Sequence, residues 1–149
     1  MESQMRNLSR ALLLLGMLSL LSPSVLAGNG IENNQIKESA ITTLLEGLKS
    51  ENAGLKSSCA YMLGKLKVTS AIIPLMRILH NDANEKVRIS AALALYMIGT
   101  PLSINAVKQA IRFDESKRVN KLAQYFYYDF LNSVPQNEKN TFISFAPHL

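Results

Sequence analysis

His80, His148 and Cys59 are the only histidines and the only cysteine in 149 residues. A nucleophile, a general base or a soft-metal site would have to be assembled from them. His80 adjoins the Asn81-Asp82 turn, with no second nitrogen or thiolate at metal-ligand spacing, and His148 is far away in sequence. A histidine there reads as a loop residue favoured by the dipole of a nearby helix end. Cys59 falls at the small-residue slot that Ala91 and Ala123 occupy 32 and 64 residues on, so it reads as a small buried apolar side chain. Glu38, Glu46, Glu51 and Glu85 are spread as solvent-facing charges are. The chain carries no glycine-rich phosphate loop, nucleophile elbow or His-Glu metalloprotease helix. The expectation is a protein without catalysis, metal or cofactor.

What remains as candidate chemistry is recognition, and that depends on the elements that carry the side chains. The run Val87 to Tyr96 has an echo 32 positions upstream, Leu55 to Gly64, and a fainter one 32 downstream from Val119-Asn120. Self-similarity at such a period is the mark of stacked supersecondary units. From near Ile36 to about Leu131 the apolar residues keep helical spacing in paired segments split by short polar loops. Ile72, Leu75, Met76 and Leu79 form one stripe on a first helix, with Ser70 as its expected amino cap. After Asn81-Asp82-Ala83-Asn84, a second helix carries Val87, Ala91, Ala94, Leu95 and Ile98 on one face, and Gly99 can take the left-handed conformation that ends it. Thr100 and Pro101 open the third unit. Its first helix repeats the stripe as Ile104, Val107 and Ile111, and its second buries Val119, Ala123, Phe126, Tyr127 and Phe130. Ile41, Leu44, Leu45 and Leu48 make a first unit once one missing loop residue is allowed. Pro74 lies inside the first helix of the middle unit and implies a kink or a late start. The fold class expected is all-α, an α-solenoid of about three antiparallel helix pairs.

Asp82, then Val87-Arg88, then Ala91 and Ala94-Leu95 resembles the HEAT-repeat pattern, in particular the short bacterial HEAT-like repeats named after phycobilisome lyase subunits. The resemblance covers roughly residues 38 to 132. It implies that the loop aspartate and the second-helix arginine join a ladder of hydrogen bonds that stacks the units. Asp82 and Arg88 match that slot. The third unit keeps Asp114 but has Asn120 for the arginine, and the first has Ser50 and Lys56, so the ladder is expected to be incomplete at both ends. Pro74 resembles the proline often found in the first helix of such repeats. The pigment chemistry of some relatives is the less favoured implication, since it belongs on the cytoplasmic side. The ankyrin-like Thr100-Pro101-Leu102-Ser103 has no counterpart in Val68-Thr69-Ser70-Ala71, and a chain without tryptophan does not fit tetratricopeptide units.

In this register Tyr61 and Tyr125 fall beside Leu93, and Gly64 and Tyr128 beside Tyr96. Tyr61, Leu93, Tyr96, Tyr125 and Tyr128 therefore form a belt across successive second helices. The resemblance places second helices on the concave side, where such a belt would meet a protein or peptide partner. Tyrosine buries large area at little entropy cost and keeps a hydroxyl for orientation. The competing reading is that neighbouring second helices pack on each other through these positions.

The ends complete the expected organisation. Residues 1–27 read as an export signal: Arg6 and Arg10, then the apolar run Ala11 to Leu21, then Val25-Leu26-Ala27. The run is too short to span a bilayer, which needs roughly 20 residues. Residues 28–36 read as a flexible leader, 37–133 as the repeat domain and 134–149 as a capping tail in which Phe142 and Phe145 fold back on the last unit. Loss of Glu2, Arg6 and Arg10 leaves 14 basic and 10 acidic side chains, a net charge of about +4 without basic blocks, so nucleic acid is not expected as a partner. The chain reads as an exported, periplasmic or secreted, non-catalytic scaffold with no membrane span after cleavage. The alternative is a subunit that self-associates or extends a larger array through its first unit.

Overall fold

The computed structural model describes residues 28–144, with side chains from 37 to 143. The expected signal, residues 1–27, and Phe145 and His148 of the tail lie outside the described residues. The chain divides into two compact units, Met1–Glu38 and Ser39–Leu149. Of the first, the described part is helical backbone from residue 28. The backbone of residues 28–36, expected as a flexible leader, is helical. Once a helix is nucleated, each added residue fixes one backbone bond, so it propagates into a polar stretch at little cost.

Among the described residues there are seven α-helices and no strands: α1 Gly28–Gly47, α2 Ala53–Lys65, α3 Ile72–Asn81, α4 Glu85–Ile98, α5 Pro101–Phe113, α6 Lys117–Ser133 and α7 Gln136–Ser144. The unit beginning at Ser39 is an all-α solenoid. Three first helices (α1, α3, α5) alternate with three second helices (α2, α4, α6), and α3 packs on both α4 and α5. The second helices form their own layer, α2 on α4 and α4 on α6.

The loops inside the pairs are built alike. Ser50, Asp82 and Asp114, each 32 residues apart, accept the backbone N–H two places on, from Asn52, Asn84 and Ser116 at 3.1, 2.9 and 2.8 Å. Those three residues then cap α2, α4 and α6 with their own side chains. Thr100 and Ser103 close a capping box around Pro101 at the head of α5.

Gly99 takes the left-handed turn that ends α4, at φ 71°, and Lys67, its equivalent in the register, takes the same turn after α2 at φ 52°. Ser70 is not a cap. A 3-10 turn, Thr69–Ala71, precedes α3 and contains Ser70 within it. α3 thus starts at Ile72, and Pro74 sits in its first turn, where backbone N–H groups have no partner inside the helix.

The core follows the repeat. Leu75, Leu79, Val87, Ala91, Ala94 and Leu95 of the middle unit are buried, with Ile104, Val107, Val119 and Ala123 of the third. Leu63, Ala60 and Leu48 continue it into the first unit, where Ile41, Leu44 and Leu45 are half-buried. At the far end Phe142 of α7 packs edge-on against Phe130, with ring centroids 4.9 Å apart.

Candidate functional site

Three side chains singled out for a ladder, Asp82, Arg88 and Asp114, do come together, across unit boundaries. Arg88 is buried and donates from Nε to Asp114 Oδ2 at 2.9 Å and from Nη2 to Asp114 Oδ1 at 3.0 Å. Its Nη1 donates to the carbonyl oxygen of Asp82 at 2.9 Å, tying its own loop to the next one. The Asp114 hydrogen bond holds the guanidinium above its ordinary range, against the burial that opposes it.

The carboxylate of Asp82 turns the other way and accepts from Lys56 Nζ of the first unit at 2.6 Å. Burial would raise the pKa of Asp82, but Lys56, the Asn84 N–H and the charge of Arg88 outweigh it, so the acid is held below its usual value. Each rung joins residues 26 apart, 56 to 82 and 88 to 114. Lysine thus does in the first unit what arginine does in the second, which the match to the arginine pattern did not reveal. The ladder ends in uncharged residues, Ser50 at one end and Asn120 at the other. The Oδ1 of Asn120 is buried and accepts no hydrogen bond.

Side-by-side packing of the second helices uses a fixed offset as well. Gly64 lies against Ala94 so closely that a Cβ on it would fall 2.6 Å from the Ala94 Cα. Thirty-two residues on, Tyr96 lies against Phe126, with rings stacked at 5.5 Å and 23°. The Tyr96 hydroxyl donates to Asp129 Oδ2 at 2.5 Å. That hydrogen bond, then burial, raises the phenol above its usual pKa.

The expected belt is therefore split. Leu93 and Tyr96 are half-buried, and Tyr96 belongs to the junction between α4 and α6. Tyr61, Tyr125 and Tyr128 are exposed. Tyr125 and Tyr128 lie along one side of α6, in a shallow groove lined also by Lys121, Gln124, Asp129 and Asn132. Tyr125 leans edge-on against Phe126 at 6.1 Å and Tyr128 against Tyr127 at 5.6 Å, so neighbouring rings orient both.

His80 is exposed, and Cys59 is buried against Gly47, where a Cβ would lie 2.3 Å from its Sγ. Among the described residues, no group of three or more His, Cys, Asp or Glu side chains is placed to hold a metal ion. No helix among them is long and apolar enough to cross a membrane.

Paired helices stacked at a 32-residue period and laced by a basic–aspartate ladder define an α-solenoid. The chain belongs to the HEAT-repeat family: the family model for HEAT repeats matches residues 41–125, from α1 well into α6. No curated protein matches the chain. HEAT repeats commonly serve as protein-interaction scaffolds and are typically non-catalytic.

Proposed function

We propose that the protein is an exported scaffold that binds a protein or peptide partner through the exposed tyrosines of its second helices, chiefly Tyr125 and Tyr128. The observation that carries this reading is the pair of large aromatic side chains held in defined orientation on an otherwise polar face of α6. Oriented tyrosines supply contact area without much loss of side-chain freedom on binding, and their hydroxyls give direction. Lys121, Gln124 and Asn132 provide the polar rim such a surface needs.

Export rests on the charged, apolar and small-residue regions of residues 1–27, and the partner would then be a protein of the periplasm or the cell exterior. The test is capture from an envelope extract with wild type and with Tyr125→Ala and Tyr128→Ala. One specific protein should be retained by wild type and lost in both variants while their helical circular dichroism and melting stay unchanged. Equal capture by all three would remove the tyrosine surface from the reading. Recovery of the protein with Gly28 as its first residue would support export, and an intact amino terminus would oppose it.

A further inference from the structure

The two ends of the second-helix layer are unlike. On α6, the side that would meet a further second helix is mixed: Gln124 stands where α4 has the buried Ala92, Asn120 where it has Arg88, and exposed Tyr128 where it has Tyr96. α7 packs on α5, the place a fourth first helix would take. On α2 the opposite side is apolar and open. Leu55, Met62 and Leu66 occupy the register positions of Val87, Ala94 and Ile98 on α4, which are buried. On α2 the three are 50%, 40% and 47% exposed. At the Met62 position, what covers the later equivalents is the preceding second helix: Gly64 lies on Ala94 and Tyr96 on Phe126. Among the described residues α2 has no second helix before it.

We propose that a second copy of this chain covers this face, with the two α2 helices packed antiparallel about a two-fold axis. Pairing like ends buries both apolar faces and closes the assembly at two, whereas head-to-tail stacking would set the stripe against Asn120, Gln124 and Tyr128 and grow without closing. The stripe also complements itself. Antiparallel pairing about a point between Ala60 and Tyr61 sets Leu55 of one copy against Leu66 of the other, and Met62 close to the small Ser58. The charges agree with it: exposed Glu51 precedes the amino end of α2 and exposed Lys65 and Lys67 lie at its carboxyl end, so each Glu51 faces the lysines of the other copy. The tyrosines of α6 lie on the far side of α4 and stay free.

The test is sedimentation equilibrium on protein purified from cells expressing the full chain. Wild type should be a dimer that does not grow into larger species at high concentration. Met62→Arg, at the centre of the stripe on a side chain already partly in solvent, should raise the dimer dissociation constant at least about a hundredfold with helical content unchanged. Glu51→Lys and Lys65→Glu should each weaken the dimer, and the two combined in one chain should restore it, which a non-specific apolar contact would not do. A wild-type monomer at several hundred micromolar, concentration-dependent filaments, or a dimer indifferent to Met62→Arg would each overturn the proposal. If Met62→Arg fails to fold, the paired charge reversal decides: its failure to restore a weakened dimer overturns the antiparallel arrangement.

Discussion

Arg88 and Asp114, 26 residues apart and on different repeats, face each other through two parallel hydrogen bonds with both side chains almost wholly out of solvent. Removing one member of such a pair strands a buried charge, which costs far more than the pair contributes relative to apolar residues. Arg88→Ala is expected to lower the unfolding free energy by about 3 kcal/mol in urea titration, and Arg88→Met combined with Asp114→Leu to recover most of that loss. A loss below about 1 kcal/mol for the single variant would mean that the rung does not hold the units together.

Acid should loosen the other rung. Because the folded-state pKa of Asp82 is held below its unfolded value, its contribution is fully present above the ordinary aspartate range and is lost as pH falls through the folded value. Wild-type stability should therefore drop below about pH 4, while Asp82→Asn shows a shallower drop there and lower stability at neutral pH. Parallel acid titrations of the two proteins by circular dichroism measure the difference in slope.

The tyrosines should separate by function. Tyr96→Phe removes the bond to Asp129 and should cost about 1 kcal/mol of stability, and Tyr96→Ala, which also removes the stack on Phe126, about 2 kcal/mol. Tyr125→Ala and Tyr128→Ala should stay within about 0.5 kcal/mol of wild type in denaturation. Each should weaken partner binding by about 2 kcal/mol, roughly thirtyfold, in a titration against the captured partner.

Gly64 sets how closely α2 approaches α4. A Cβ there would lie 2.6 Å from the Ala94 Cα and 2.7 Å from the Met97 Cε, so Gly64→Ala must part the two helices and should cost about 1–3 kcal/mol by thermal or urea unfolding.

Lys67 gives the opposite sign. It holds a left-handed turn at φ 52°, which the equivalent position after α4 gives to glycine, so Lys67→Gly should raise stability by about 1 kcal/mol. A stability equal to or below wild type would show that the turn is unstrained.

The sequence displays most of this fold because each unit states its own grammar: a stripe, a loop cap, a second stripe and a stop. Thr100-Pro101 and Gly99 mark boundaries through their own backbone preferences, and those boundaries are where the helices begin and end. Ser70 misleads because a 3-10 turn and an α-helix share capping chemistry, and only tertiary packing decides where one becomes the other. The ladder was legible as a set of residues but not as a wiring. Which carboxylate Arg88 reaches depends on the axial offset between neighbouring units, a quantity absent from spacing within one unit. The same offset decides Tyr96, whose register partner Tyr128 is exposed simply because no second helix follows α6 among the described residues.

Cys59 sits where α2 meets the end of α1, its sulfur filling the space a side chain at residue 47 would need. Access of an electrophile to that sulfur is blocked while the Gly47 end of α1 is seated. The lone thiol is therefore a timer for the first repeat: its alkylation rate counts how often the Leu44–Gly47 end of α1 lifts away, and a chain that fills the open face of α2 should slow that clock without touching the sulfur itself.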